Sequence, residues 1–384
     1  MQGLMYLCLE KEDKPQGNYT HPHPKKNIMH DLDKQINQRL EDLAKKENLR
    51  HLSLPYPTLG KWIVVNEEKR LNLSGNDYLG LAERDDLREQ FSTLHPNYSS
   101  PSGSTSSRLL LGNYEEAALF EEEIAKALEH PAALLFNSGY HLNTGILPAL
   151  AHLEGVKVYA DRMVHASIID GIRLSRLPFT RFRHNDLEHL TELLKEDEGK
   201  YRISIIAVES LYSMDGDEAD LEALVALKKK YPSLVIYCDE AHAIGTHGAN
   251  GYGLAEELGV LADIDILVGT FGKALNSMGA YAAISTSLRE YLINMARPLI
   301  FSTMLPPAVI AWSRYTFALL PRLGEERAQL RQVSRYLRSS LQEKGYSCPG
   351  VAQILPLIIG ENGACGLLAE RLQKGGFEVK PIRY

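Results

Sequence analysis

Residues 265–277 read DILVGTFGKALNS. An apolar, β-branched run closes on glycine, threonine and a glycine–lysine pair. Such a run reads as a buried strand, so Lys273 stands where a strand ends. Four other segments have the same form: AALLF (132–136), VKVYA (156–160), RISIIAVES (202–210) and SLVIYCDE (233–240). Helical patterns separate them. HASIIDGIRLS follows VKVYAD. LEHLTELLKEDE puts Leu187, Leu190, Leu193 and Leu194 on one face, and DLEALVALKKKYP does the same with Leu221, Leu224 and Leu227. Strands alternating with helices at this spacing predict an α/β domain with a mostly parallel central sheet. In such sheets, functional residues collect beyond the carboxyl ends of the strands.

Working outward, the pattern divides the chain. Residues 1–28 are polar and proline-containing without periodicity, and read as a disordered extension. His21 and His23 there are too few to hold a metal. Residues 29–75 open with Leu32, Ile36, Leu40 and Leu43 at helical spacing and continue into a strand segment. Residues 76–285 form the large domain. Residues 286–384 form a smaller α+β domain, mainly helical through SLREYLINMARPLIFST and GEERAQLRQVSRYLRSSLQEKG. In it QILPLIIG reads as a strand, CGLLAERLQKGG as a helix and FEVKPIRY as a last strand.

Bulk composition removes several function classes. A net charge of −7 disfavours broad binding to nucleic acid or anionic membrane. No apolar run reaches membrane-spanning length, and the amino terminus lacks the basic region of a signal peptide. Four cysteines with no CxxC pair argue against a disulfide framework or structural zinc. The expected location is the cytoplasm.

Three chemistries compete for Lys273. A Walker A loop needs a glycine six positions before its lysine and Ser or Thr after it, but Leu267 and Ala274 stand there. An ordinary turn with a solvated lysine is the plain structural reading. A lysine that forms a Schiff base with an aldehyde cofactor is the third. Pyridoxal phosphate would further need an acid for its ring nitrogen, a flat face over the ring, phosphate donors and a donor to its phenolic oxygen. Asp239 ends SLVIYCD, with His242 three residues on. FNSGYHLN (136–143) opens a helix after a strand, a natural anion site. DRMVHAS (161–167) offers His165, ESLYSMDGD (209–217) offers Ser213, and Thr270 precedes Lys273 by three. Each has a structural alternative: a helix cap for His165, a turn for Ser213, a polar pair for Asp239 and His242. Five strand-end signals in one order favour the cofactor.

Those segments, with LNLSGNDYLGL (71–81), SGSTSSRLLLGNY (102–114), CDEAHAIGTHG, TFGKALNSMGAY and RPLIFSTMLPPA, resemble the pyridoxal-phosphate-dependent α-oxoamine synthases of fold type I. The likeness runs from about residue 31 to the end. The likeness is strongest to the branch that makes 8-amino-7-oxononanoate for biotin, and TFGK with the uninterrupted NSMGAY leans away from the aminolevulinate and aminoketobutyrate branches. The resemblance implies that Lys273 holds the cofactor and acts as base, and that Asp239 pairs with the ring nitrogen. It implies that His242 and Ser213 support the phenolic oxygen and that His165 stacks on the ring and orients the acyl substrate. Gly139 and Tyr140 would contact the cofactor, and Thr270 its phosphate. Ser302 and Thr303 would reach the phosphate of a partner subunit in a homodimer with shared sites, and Arg50 would meet substrate. The implied reaction condenses L-alanine with pimeloyl-CoA or its carrier-protein thioester, with no metal.

The match departs in three places. Residues 1–28 have no counterpart in the family pattern. The family pattern also continues beyond PIRY, with a proline-rich loop and a strand bearing an arginine for the substrate carboxylate. The small domain is therefore expected to be incomplete. SGSTSSRLLLG lacks the usual GSGG form but keeps small residues and Arg108. Two alternatives follow: a synthase using glycine or serine, and a cofactor-binding remnant without turnover.

Overall fold

A computed structural model describes residues 30–50, 52, 58–94 and 101–382. The extension at 1–28, His21 and His23 included, and the last two residues of PIRY lie outside the described residues. Two units emerge, one up to residue 52 and one from residue 58 to 382. In the first, helix α1 (Asp31–Lys45) forms as the spacing of Leu32, Ile36, Leu40 and Leu43 predicts, capped by the His30 side chain on the Leu32 amide, and buries no residue within its unit.

In the second unit two sheets form. The smaller contains β1 (Thr58–Leu59), β2 (Trp62–Val65) and β3 (Glu68–Asn72). The larger contains β4 (Ala132–Phe136), β5 (Val156–Asp161), β6 (Phe179–Phe182), β7 (Ile203–Glu209), β8 (Leu234–Asp239), β9 (Ile266–Thr270) and β10 (Ala280–Ile284). Its order is β4-β10-β9-β8-β7-β5-β6, and every pairing is parallel except the two made by β10. All five expected strands form, within a residue or two of their expected ends. Their apolar runs suit a sheet covered on both faces, and nearly every residue of β4, β5, β7, β8 and β9 is buried. The sequence reading did not single out β6 or β10. AYAAI (280–284) is short and alanine-rich, yet all five residues are buried between β4 and β9.

Helices α2 (Asp85–Leu94), α3 (Glu115–Ala127), α4 (Gly139–Leu150), α5 (Ala166–Ser175), α6 (Leu187–Glu196) and α7 (Leu221–Lys230) come between strands. Their starts are set by local chemistry. Asp186 accepts from the His189 amide at 2.8 Å and Asp220 from the Ala223 amide at 2.9 Å, each satisfying an orphan donor of the first turn. On α6, Leu190 and Leu194 are buried while Leu187 and Leu193 pack against the core. Burial of each such leucine contributes about 1.5–3 kcal/mol.

Beyond β10 the chain is mainly helical, as expected. After the short α8 (Leu254–Glu257), which precedes β9, the helices beyond β10 are α9 (Thr286–Met295), α10 (Arg297–Ile300), α11 (Pro307–Leu319), α12 (Gly324–Glu343) and α13 (Asn362–Lys374). QILPLIIG is not a strand. None of residues 353–360 is buried, Pro356 has no N–H for a ladder, and the Gln353 amide donates to the His242 carbonyl at 2.7 Å. FEVKPIRY shortens to β11 (Phe377–Glu378), which pairs in parallel with Leu71 and Asn72 of β3. The Lys380 amide then turns to the Ser74 hydroxyl, and Pro381 gives no donor. Residues 58–72 and the carboxyl-terminal strand thus share one sheet, and the expected boundary at residue 286 falls inside the second unit.

Candidate active site

Register places the site. The β7–β8 pairing sets Glu209 opposite Asp239, and β8–β9 sets Asp239 opposite Val268, two residues before Thr270. The three strand ends therefore deliver a carboxylate, a carboxylate and a hydroxyl side by side. After β9 the chain makes a tight loop that carries Lys273. Thr270 closes it, donating from its hydroxyl to the Gly279 carbonyl at 2.9 Å and accepting from the Gly272 amide at 3.3 Å. Gly279 has φ +110, and a Cβ there would meet the Leu305 side chain at 2.7 Å. That position needs glycine.

Inside this frame the Lys273 Nζ lies 2.6 Å from the His242 Nε2, and the His242 Nδ1 lies 2.7 Å from the Tyr78 hydroxyl. Burial lowers the Lys273 pKa, although the charges of Asp239 and Glu209 work to raise it. A desolvated amine is more often neutral and nucleophilic at ordinary pH. Burial, with Lys273 and His165 nearby, pushes the His242 pKa down to about 2, so its ring is neutral.

Asp239 is buried and accepts from the Asn143 side chain at 3.2 Å and the Ala241 amide at 2.9 Å. Asn143, on α4, also donates to the Ser167 hydroxyl at 2.9 Å and accepts from the Tyr237 hydroxyl. Ser167 in turn meets the His165 Nδ1 at 2.7 Å. A chain of hydrogen bonds thus links Asp239 to His165, which also caps α5 through the Ser167 amide. The helix-cap reading of His165 is correct, and the same residue faces the site. His165 is exposed by area, yet desolvation lowers its pKa, against the pull of the Asp239 charge.

Glu209 is almost wholly buried. Burial first, then the charge of Asp239, raises its pKa to about 8. Its Oε2 accepts from the Ser213 amide at 3.2 Å, while its Oε1 is buried without a partner. Ser213 lies on the turn after β7, beside this carboxyl. An unpartnered carboxyl oxygen at a strand end marks a place where another polar group belongs.

At the start of α4, Ser138 accepts from the His141 amide at 3.2 Å, so the helix N-terminus presents Gly139 and Tyr140. Tyr140 is half-exposed, and its hydroxyl donates to Asp170 at 2.7 Å. A Cβ at Gly139 would meet nothing within 4 Å, so its face is open. Ser302 and Thr303 lie against the preceding loop: Asn137 donates to the Thr303 carbonyl at 2.7 Å, and Ser302 lines a small crevice with Asn137 and Arg108. Arg108 itself is paired with buried Glu121, so it anchors the SGSTSSRLLLG loop to the core. Arg50 is exposed in the first unit.

The sequence reading missed Tyr78, Asn143, Ser167 and Glu209, although all four sit inside motifs it quoted. Only the fold shows which residue of each motif turns inward. A different cluster, His184, Asp215 and Asp217, brings three possible ligand atoms within 4.8 Å of one another. Both His184 nitrogens are already engaged at 2.8 Å, by Asp161 and Asp217.

The donor set fits pyridoxal phosphate. A desolvated amine, a buried carboxylate held by an amide network, a neutral imidazole, an open helix N-terminus and an orphaned carboxyl oxygen face one region. The model of aminotransferase class I and II matches residues 68–381. A provisionally named 8-amino-7-oxononanoate synthase of Haemophilus influenzae is 48% identical over 349 residues, covering 90% of each chain. Serine palmitoyltransferase from S. paucimobilis, solved with PLP bound, superposes with a TM-score of 0.82 at 26% identity, covering 92% of each chain. The 8-amino-7-oxononanoate synthase of Francisella tularensis has a TM-score of 0.69 at 27% identity, over 82% of this chain and 89% of its own. By motif, fold and relatives alike, the chain belongs to the pyridoxal-phosphate-dependent α-oxoamine synthases, transferases of fold type I within aminotransferase class I and II.

Proposed function

We propose that the chain condenses L-alanine with a pimeloyl thioester, on coenzyme A or a carrier protein, to give 8-amino-7-oxononanoate, a biotin precursor. Carbon dioxide and the thiol leave. The observation that carries the reading is the Lys273 amine, desolvated and 2.6 Å from a neutral imidazole beside two strand-end carboxyls. The choice of alanine and pimeloyl follows the name of the relative at 48% identity.

When bound, pyridoxal phosphate supplies an electron sink for the pair left at the amino acid's α-carbon. The protein's residues do the rest. Lys273 anchors the cofactor and, once free, takes the α-proton on Nζ, work worth roughly 100- to 10,000-fold. Asp239 keeps the ring nitrogen protonated, and its Asn143 and Ala241 donors hold it in place. His242 and Ser213 support the phenolic oxygen. His165 covers the ring and orients the acyl group. Gly139 and Tyr140 contact the cofactor at the start of α4, where the helix dipole favours an anion, and Thr270 at the end of β9 binds its phosphate. Ser302 and Thr303 complete the phosphate site of a second copy in a homodimer, and Arg50 meets substrate. The protein works in the cytoplasm.

Serine palmitoyltransferases among the similar structures favour a second reading, in which serine or glycine replaces alanine. Mass spectrometry of products decides between them, with L-alanine, glycine or L-serine each offered pimeloyl-CoA or palmitoyl-CoA. The first reading predicts the alanine–pimeloyl product in excess. Product from serine or glycine alone supports the second. No product from any pair, with cofactor bound, supports an inactive remnant.

A further inference from the structure

The Lys273–His242 pair does not end at the imidazole. The His242 Nδ1 meets the Tyr78 hydroxyl at 2.7 Å, and that hydroxyl lies 3.3 Å from the Oδ1 of exposed Asn76. The chain therefore runs from a buried amine to the protein surface. Tyr78 sits in a loop pinned from below, where Asp77 accepts from the Leu81 and Ala82 amides at 2.9 and 3.0 Å. His242 is fixed from its other side by the Gln353 bond to its carbonyl.

The protonation states leave few arrangements. Burial raises the Tyr78 pKa, so the phenol keeps its proton. The His242 ring carries one N–H and two nitrogens, both in hydrogen bonds. When Lys273 is an ammonium, it donates to Nε2, the ring proton sits on Nδ1, and Tyr78 accepts while donating to Asn76. When Lys273 is a neutral amine, Nε2–H donates to it and Tyr78 donates to Nδ1. A hydroxyl serves both arrangements because it donates or accepts. The groups whose charge reaches Lys273 and His242 are Asp239, Glu209 and His165, while the His242 ring nitrogens bond to Tyr78 and Lys273.

We propose that Tyr78 is a positioning residue whose hydroxyl lets His242 move its single N–H from Nδ1 to Nε2 as Lys273 loses a proton. The lysine then changes charge without leaving a buried ring nitrogen unpaired. This rests on the reading of Lys273 as the base, and adds the group that keeps its partner in step.

The test is nitrogen-15 NMR of the full chain with labelled histidine and no added cofactor, titrated from about pH 6 to pH 10, with His242→Gln to assign the signal. Wild type should move from the Nδ1–H to the Nε2–H form at the pH where Lys273 deprotonates. Lys273→Met should abolish the response. Tyr78→Phe leaves the Nδ1–H of the ammonium state without an acceptor and should move the switch to lower pH by about one unit. One unchanging tautomer in wild type, or a Tyr78→Phe titration identical to wild type, overturns the proposal. The NMR readout uses no substrate. A wrong amino acid or acyl donor under the proposed function therefore leaves it standing, and a failed tautomer switch with normal product formation overturns it alone.

Discussion

Two histidines, His184 half-buried and His242 buried, sit at carboxyl ends of the same sheet, and their neighbours give them opposite character. His184 lies between Asp161 and Asp217, each at 2.8 Å. Burial works against its charge, but those two hydrogen bonds win and raise its pKa to about 10. Asp161 also accepts from the amides of Met163 and Asn185. One ring there faces two carboxyl groups, and the cluster ties the turn after β6 to the ends of β5 and β7. His242 meets an amine and a phenol, gains no compensating anion, and drops to about 2. Around it burial raises Glu209 and lowers Lys273, and one Glu209 oxygen has no partner. In the first cluster both ring nitrogens meet carboxyl groups that favour the charged ring, although one Asp217 oxygen is also buried without a partner. The second holds its amine, its imidazole and the Glu209 carboxyl toward their neutral forms, which is how a protein prepares for a group it does not supply.

Removing the amine should separate the clusters most. Lys273→Ala should cut condensation by roughly 100- to 10,000-fold for the lost base alone and abolish the visible cofactor band. Product assays and absorption spectra check both. A surviving band would break the comparison, because Lys273 would then be an ordinary buried lysine.

His184→Ala should do the reverse. It leaves Asp161 buried with one partner fewer and should cost about 2–3 kcal/mol of stability, read by denaturant unfolding, while the cofactor band persists. Loss of the band with stability unchanged would move His184 into the active site.

A smaller effect concerns the pH dependence of the folded state. The Glu209 pKa is raised from 4.5 to about 8 on folding. Between those values the folded chain keeps a proton that the unfolded chain has released, so stability falls as pH rises through that window. His242 acts in the other direction: its pKa falls from 6.5 to about 2, so stability is lost as pH drops below 6.5. Thermal melts of Glu209→Gln from about pH 5 to pH 9 should show a flatter alkaline decline and an unchanged acid decline. An unchanged alkaline side would mean that Glu209 ionises freely in the folded protein. Tyr78→Phe, with its shift of about one unit in the pH of the His242 tautomer switch, is the finest of these probes.

Much of this was legible in the sequence where one rule operates alone. Long β-branched runs gave β5, β7, β8 and β9, because a buried parallel strand has to be apolar throughout. Strand-end position picked out Lys273, Asp239, His242 and Thr270, because register then brings them together. AYAAI escaped because small residues carry little strand signal, and its place depends on the gap between β4 and β9. QILPLIIG misled because apolar content alone does not give a strand without a neighbour to pair with. Asn143 and Ser167 could not be picked out within their motifs. Each matters through a partner far along the chain, and only the packing of α4 on α5 makes the partnership.

The most direct test is borohydride reduction of the full-length protein with pyridoxal phosphate, followed by peptide mapping. The account predicts a stable pyridoxyl mass on the peptide containing Lys273, blocked in Lys273→Ala and displaced when L-alanine is added before the reductant. A label on another lysine, or none at all, would contradict it.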